Sequence, residues 1–235
     1  MDFPWLAFDL ETTGLDVEAD RVVTCALIRL DPPAPPVATT LLVNPGIPIP
    51  AAATVVHGIT DAIAAEGLEP GCAVQRIADT LRAAAGGGIP IVGMNLSYDL
   101  TLLDRECRRH GVAPLDPDSL RIIDAYVLDK HVDQYRRGSR RLEVLAGHYR
   151  VALDGAHEAA ADALAAARVV WRIVTTHQAL GVLTLDELHA AQVGWAAQQA
   201  ESFRDYLTGL GEHERAATVD GVWPIRPFRA TNPVG

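Results

Sequence analysis

The stretch FDLETTGL, residues 8–15, decides how this chain is interpreted, because it places two carboxylates inside the first apolar run. Residues 4–10 are predicted to form a buried strand. Successive side chains of a strand point to opposite faces, so Asp9 and Glu11 lie side by side while Leu10 points into the core. Adjacent carboxylates repel each other and are costly to remove from water. Taken alone, the pattern fits a solvated strand end as well as it fits a functional site.

The composition is that of a globular protein. The chain has 235 residues, 49% of them hydrophobic and 21% charged, which suffices for one well-buried domain with a small appendage. No apolar run reaches the length of a membrane span, and the acidic start does not resemble a signal peptide. Cys25, Cys72 and Cys107 form no C-x-x-C pair and are predicted to be buried thiols. We therefore expect a cytoplasmic protein with no membrane contact.

The net charge of −10 argues against a protein that binds chiefly through the phosphate backbone, because such proteins are usually basic. It does not exclude a nuclease. A site that collects carboxylates for metal ions adds negative charge, which the bound cations later offset.

The order of elements predicts an α/β fold. Strands over 4–10, 21–30 and 37–45 form an antiparallel meander, and parallel strands follow over 89–95 and at the start of RIIDAYVLDKH. Helices are predicted after Thr60 and over 72–87, 97–111 and 157–177, with Ser97 as a cap, while PGIPIPAAA is an extended connector. We assign residues 1–180 to a mixed-sheet domain, 181–223 to a C-terminal helical extension and 224–235 to a mobile Pro-rich tail. In the extension Trp195, Phe203, Tyr206 and Leu207 are near helical spacing and are predicted to pack on the domain or on a partner.

Two further acids stand at the start of predicted helices. Asp99 follows the strand that ends at Asn95, and Asp162 opens an Ala-rich helix behind His157. Each has an ordinary explanation, a favourable helix dipole or a solvated acid. Together with Asp9 and Glu11 they suggest a site for Mg²⁺ or Mn²⁺, which prefer oxygen ligands. Two such ions roughly 4 Å apart suit phosphodiester cleavage, with a histidine as the base.

Four motifs carry a family resemblance. The stretches FDLETTG, HGIT, GMNLSYDLTLL and HEAAADA resemble, in order and spacing, the DEDDh 3′–5′ exonucleases, the DnaQ-like branch of the ribonuclease H-like fold, over about residues 4–170. The resemblance implies that Asp9, Glu11, Asp99 and Asp162 ligate two Mg²⁺ or Mn²⁺ ions. It also implies that His157 is the general base. The chain departs from the pattern at Met94 and Tyr98, where related sequences often carry His and Phe.

The resemblance extends less firmly to substrate contacts. It implies that the turn Thr12–Thr13–Gly14 holds the terminal nucleotide and that Leu15 wedges against a base, although Gly14 could simply supply an unusual dihedral. His57 is expected near the nucleotide or on the surface, and Asn95 is expected to orient Asp99 or to contact substrate. A further run, Arg136, Arg137, Arg140 and Arg141, usually means a solvated basic loop. We hypothesise that it binds phosphates of the incoming strand.

The expected function is metal-dependent 3′–5′ exonuclease activity. It would release 5′-nucleoside monophosphates from single-stranded or frayed 3′ ends, DNA more than RNA, in repair or proofreading, with a DNA polymerase as a candidate partner. Two alternatives stay open: an oligoribonuclease or RNA 3′-end trimmer with the same chemistry, and a non-catalytic polymerase-accessory binding module. The 2′-hydroxyl that separates the two substrates is read by a groove that the motifs do not reveal.

Overall fold

The computed structural model describes residues 3–153 and 158–228. The strands are β1 (Trp5–Thr12), β2 (Val22–Leu30), β3 (Val37–Leu42), β4 (Ile91–Gly93) and β5 (Ile122–Asp124). They form one sheet in the order β3-β2-β1-β4-β5. β1 pairs antiparallel with β2 and parallel with β4, so the predicted meander and parallel strands are confirmed as one mixed sheet.

Helices cover both faces of this sheet. They are α1 (Ala51–His57), α2 (Asp61–Ala64), α3 (Pro70–Gly86), α4 (Leu96–Arg109), α5 (Ala125–Val132), α6 (Leu142–Tyr149), α7 (Ala159–Thr176), α8 (Gln178–Gly181), α9 (Leu185–Gly209) and α10 (His213–Thr218). A 3₁₀ turn at Pro117–Ser119 precedes β5. No helix within the described residues is long and apolar enough to cross a bilayer.

The central strand β1 sorts its side chains between two cores. Leu6, Phe8 and Leu10 pack with α3 and α4 on one face. Trp5 and Ala7 pack with α5, α6 and α7 on the other. Because side chains alternate along a strand, Asp9 and Glu11 continue the row that faces α7.

Small residues let α7 lie close to the sheet on that face. Ala163 and Ala167 are buried against the core that contains Ala7 and Val92. An alanine brings the helix nearer to the strand than a branched side chain would. The alanine-rich sequence thus delivers the first turn of α7, which carries Asp162, to the end of β1.

Several local predictions are wrong. The connector around Pro50 is not wholly extended, because α1 begins at Ala51. Ser97 is not the cap of α4. The cap position is Asn95, held in the left-handed conformation at φ 57° and ψ 40°. Cys72 is exposed at the first turn of α3, whereas Cys25 and Cys107 are buried as expected.

The C-terminal region packs on the domain. Gln192 of α9 is buried, accepts a hydrogen bond from the Asp124 N–H at 2.8 Å and donates one to the Ile122 carbonyl at 2.9 Å. His189 Nδ1 accepts the Ile122 N–H at 3.1 Å. These side chains pair the outer edge of β5, which would otherwise expose its backbone groups.

The start of the predicted mobile tail is ordered. Trp223 and Ile225 are buried in the core on the α4 face. The Arg226 N–H donates to Thr101 Oγ1 at 3.0 Å, and Arg105 donates to the carbonyls of Arg226 and Pro227. The prediction of mobility is therefore wrong for residues 224–228, because these contacts bind the chain to α4.

Candidate active site

Three of the four predicted acids converge. Within the described residues, Asp9, Glu11 and Asp162 each offer a carboxylate oxygen within 4.8 Å of those of the other two. Asp9 and Glu11 come from the α7-facing row of β1, and Asp162 comes from the first turn of α7. The register between β1 and β2 shifts just after Glu11, as it does at a β-bulge. The strand thus ends its regular pairing directly beside the carboxylates.

Asp99 reaches the same region from the other face of the sheet. It is buried on α4, and its Oδ1 accepts the Leu10 N–H at 3.1 Å, next to Asp9 in the chain. The end of β4 also approaches β1 closely, because a Cβ on Gly93 would lie 2.7 Å from the Phe8 carbonyl oxygen. Asp99 lies outside the group of three mutually close carboxylates.

The acids raise one another's pKa values. Burial is the largest cause of the raised pKa of Asp9, followed by the charges of Asp99, Glu11 and Asp162. Burial, then Asp162, raises the pKa of Glu11 to about 7. Burial also raises the pKa of Asp99, against the lowering effect of the Leu10 hydrogen bond. A cluster that resists ionisation in this way is short of positive charge.

The donor set fits a hard divalent cation. All close ligand atoms are carboxylate oxygens, the type that Mg²⁺ and Mn²⁺ prefer, and the cluster contains no sulfur or imidazole among the described residues. The carboxylates converge and are partly buried, and those of Asp9 and Glu11 have raised pKa values. A bound cation would relieve the repulsion among them.

The turn after Glu11 is held by Tyr98. The Tyr98 hydroxyl lies 2.8 Å from Thr12 Oγ1, and both oxygens are within hydrogen-bonding distance of the Gly14 carbonyl oxygen, Thr12 Oγ1 at 2.7 Å. The two hydroxyl protons make two of these three bonds at a time, at least one of them to the carbonyl. The departure at Tyr98 noted in the sequence thus has a structural role, since it ties α4 to the turn.

Thr13 does not face a nucleotide. Its side chain is buried, its hydroxyl donates to Asp20 at 2.7 Å, and its N–H donates to the Arg21 carbonyl at 3.0 Å. Gly14 does not adopt a positive φ, as a residue with an unusual dihedral would. It is glycine because a Cβ there would lie 2.5 Å from Asp20 Oδ2. The prediction that Thr13 contacts substrate is wrong for these reasons.

Leu15 and His57 lie near the site. Leu15 is 89% exposed at the turn, as a wedge against a base requires. His57 ends α1 and shares a cavity of about 300 Å³ with Glu11 and with Glu158 at the start of α7. His57 Nδ1 accepts the Ile59 N–H at 3.1 Å, and burial lowers its pKa.

Asp124 is a positioning residue that the sequence analysis missed. It is buried at the end of β5 and accepts the N–H groups of Asn95, Leu96 and Tyr126 at 2.8–2.9 Å. These bonds hold the left-handed turn that opens α4 and so place Asp99. The acid at the end of the strand in RIIDAY could have indicated it. Asn95 itself is exposed and makes no hydrogen bond to Asp99, so it does not orient that residue.

The basic run divides into two kinds of arginine. Arg136 and Arg140 both pair with buried Asp129, whose other oxygen accepts the Tyr149 hydroxyl at 2.8 Å. The interpretation as a solvated loop is wrong for these two, because they neutralise a buried acid. Arg137 and Arg141 are exposed, and Arg141 lines a cavity of about 630 Å³ together with Asn95. His157 lies outside the described residues.

Sequence comparisons find related proteins along most of the chain. A family model described as exonuclease, of the RNase T type, matches residues 6–170. A DNA polymerase III subunit epsilon-like protein of Rhodobacter capsulatus is 31% identical over 186 residues, which cover 77% of this chain and 25% of that protein. A PolC-type DNA polymerase III of Lacticaseibacillus paracasei is 27% identical over 186 residues, covering 79% of this chain and 12% of the relative.

Solved structures share the fold. E. coli exonuclease I in complex with a dT13 oligonucleotide superposes with a TM-score of 0.61 at 23% identity, covering 75% of this chain and 42% of that one. Exonuclease I from Methylocaldum szegediense gives a TM-score of 0.61 at 23% identity, covering 87% and 46%. The chain therefore spans less than half of each of these four proteins.

Proposed function

Because this chain belongs to the exonuclease family of the RNase T type, with a ribonuclease H-like fold, we propose that it is a DEDDh 3′–5′ exonuclease. It removes 5′-nucleoside monophosphates from the 3′ end of single-stranded or frayed DNA. The observation that carries the proposal is the convergence of Asp9, Glu11 and Asp162, with Asp99 at its edge.

The carboxylates would hold two Mg²⁺ or Mn²⁺ ions. When bound, such ions neutralise the developing charge and align the attacking and leaving oxygens of a phosphodiester. Asp9 would be central among these ligands, because it belongs to the group of close carboxylates and the charges of all three other acids raise its pKa. Their mutual repulsion in the absence of cations explains why the site would favour metal binding.

The chain's own residues supply the remaining functions. His157 would accept the proton of the attacking water, since an imidazole titrates near neutral pH. The Thr12 and Gly14 turn, braced by Tyr98, would place the terminal nucleotide, and Leu15 would pack against its base. Asn95 and Arg141 would contact the strand on the side of the larger cavity.

The choice of DNA rests on the relatives. The curated relatives are DNA polymerase III proteins, and the exonuclease I structure holds a DNA oligonucleotide. We propose that this chain acts on the same polymer and that a DNA polymerase is a candidate partner.

The test is an end-label assay. A 5′-labelled single strand with Mg²⁺ is expected to give a ladder of shortened products, and a 3′-labelled strand is expected to lose its label in the first turnover. Asp9→Asn should slow release at least about a thousandfold, the effect of losing about 4 kcal/mol of transition-state stabilisation. Glu66→Gln, at an exposed acid outside the cluster, is the matched control and should keep the wild-type rate.

Other outcomes separate the alternatives. Faster release from an RNA strand of the same sequence would identify an RNA trimmer. Binding without release by the wild-type protein, with Mg²⁺ and with Mn²⁺, would overturn the exonuclease and favour the binding module.

A further inference from the structure

Three cavities adjoin one another along α5 and α9. The first, of about 630 Å³, runs from Asn95 to Arg141. The second, of about 300 Å³, runs from Asn95 and Tyr98 to the segment Val219–Trp223. The third, of about 420 Å³, lies between α5 and the exposed end of α9. Lys130 lines all three, so they form one surface, which we name the α5–α9 groove.

Lys130 is the single lysine of the 235-residue chain. Its Nζ lies 5.1 Å from the ring centroid of Tyr126, a cation–π contact. Within the described residues it forms no ion pair, whereas Arg136 and Arg140 nearby are both committed to Asp129. Burial, and then the charge of Arg140, lower the pKa of Lys130. The groove therefore holds a cation that lacks an anion.

Aromatic rings continue the groove along α9. The first half of this helix packs inward through Leu188 and Gln192. Gln199 still reaches α5, donating to the Val127 carbonyl at 3.0 Å. After Gln199 the same face of α9 becomes exposed to solvent, and its Phe203 and Tyr206 side chains are 43% and 62% exposed. Their rings are stacked, with centroids 6.5 Å apart and planes 18° apart.

We infer that the α5–α9 groove binds the upstream part of a single-stranded nucleic acid whose 3′ end lies at the carboxylates. This inference rests on the proposed function. The groove begins at Asn95 and Tyr98, which border the site, and it offers an unpaired cation for phosphate and flat rings for bases. That combination is how proteins hold single strands without reading sequence.

The far wall of the groove lies outside the part of the chain that the family model matches. Phe203, Tyr206 and the segment Val219–Trp223 all lie beyond residue 170, where the family model ends. The helical extension would thus lengthen the contact with the strand, giving the enzyme a preference for substrates of several nucleotides over very short ones.

A footprint on Lys130 tests the path of the strand. Because Lys130 carries the only side-chain amine, an amine-reactive reagent followed by mass spectrometry of its peptide reports on this one position. Thymidine oligonucleotides of increasing length are added to the Asp9→Asn protein, in which hydrolysis is expected to be slow. Oligonucleotides of about six or more nucleotides should protect Lys130, whereas thymidine 5′-monophosphate should not.

A double variant tests the aromatic wall. In Phe203→Ala/Tyr206→Ala the ratio of the Kd for a 3-mer to the Kd for a 12-mer should fall at least about fivefold, because stacked bases lose their platform. Trp171→Ala is the matched control, since Trp171 is an aromatic residue on α7, 44% exposed and outside the groove. It should leave the ratio unchanged.

The outcomes distinguish this inference from the proposed function. Length-independent protection of Lys130, or an unchanged Kd ratio in the double variant, would overturn the groove even if nucleotides are released. Length-dependent binding without release would retain the groove and overturn the exonuclease. If the double variant only dissociates a dimer of the protein, the aromatic surface is a subunit interface and the inference is wrong.

Discussion

At the scale of single residues, burial and mutual repulsion act together to disfavour the charged form of the acids in the site. Asp9, Glu11 and Asp99 all have raised pKa values, because the fold buries them and places them near one another. Such a cluster opposes folding when it ionises without a cation. The same proximity makes it a strong ligand set once a cation is present.

These raised pKa values predict that the metal-free protein becomes less stable as the pH rises. The pKa of Glu11 rises from its usual 4.5 to about 7 on folding, so the native state holds a proton that the unfolded state releases between those values. Stability therefore falls as the pH rises from 4 to 8. Metal-free Glu11→Gln should have a higher Tm than the wild type at pH 8, with the gap narrowing towards pH 4.

Adding Mg²⁺ should reverse the order at pH 8, because an ion that binds only the folded state stabilises it by mass action. Glu66→Gln, at an exposed position, should follow the wild type throughout. A Tm of Glu11→Gln that stays equal to that of the wild type at every pH would contradict this view of the cluster.

The residues differ in how far the sequence could predict them. Asp9 and Glu11 follow from strand alternation, which sets their shared face. Thr13 could not be judged in this way, because its hydroxyl is taken up by Asp20, seven residues away in a turn with no repeating pattern. The ion pairs of Arg136 and Arg140 could not be predicted, because their partner Asp129 is buried. In the sequence Asp129 cannot be told from an acid on the exposed face of a helix.

At the scale of elements, the edge of β5 depends on a side chain from α9. Gln192 satisfies one N–H and one carbonyl of that strand and is fully buried. Gln192→Leu would leave both backbone groups without a partner and is expected to lower the free energy of unfolding by about 2–4 kcal/mol. Denaturant unfolding followed by circular dichroism measures it.

Gln198→Leu is the control on the same helix, because Gln198 is exposed. It should change the free energy of unfolding by no more than about 0.5 kcal/mol. Equal stability of the two variants would show that α9 does not cap the sheet. The sequence predicted α9 as a helix but not this contact, since an amide that replaces a neighbouring strand leaves no periodic pattern.

At the scale of the whole molecule, the last described segment anchors the C-terminal region. Trp223 and Ile225 are buried against the core that contains α4, the helix of Asp99. Trp223→Ala should lower the free energy of unfolding by about 3–5 kcal/mol, as large-to-small changes in a core do. Trp171→Ala, at a site that is 44% exposed, should cost much less. Comparable losses in the two variants would contradict the docking of this segment.

The mixed sheet was predictable because three alternating strands and the later strand–helix units each carry a clear period. The order of those strands was less predictable. The spacing of Trp195, Phe203, Tyr206 and Leu207 predicted a packed face on the extension, but neither its contact with β5 nor the burial of Trp223 and Ile225. Proline-rich sequence usually indicates a mobile tail, yet here hydrogen bonds from Arg105 and the burial of two side chains hold it. The proposed division at residue 180 is thus a boundary of the family resemblance, with α9 packed against β5 across it.

The central claim is that carboxylates from β1, α4 and α7 jointly hold divalent cations. Anomalous diffraction from crystals grown with Mn²⁺ and thymidine 5′-monophosphate tests it most directly. The account predicts two peaks roughly 4 Å apart, one of them shared by Asp9 with Glu11 or Asp162, and their loss in Asp9→Asn. Peaks elsewhere on the protein, or none at these carboxylates in the wild type, would contradict it.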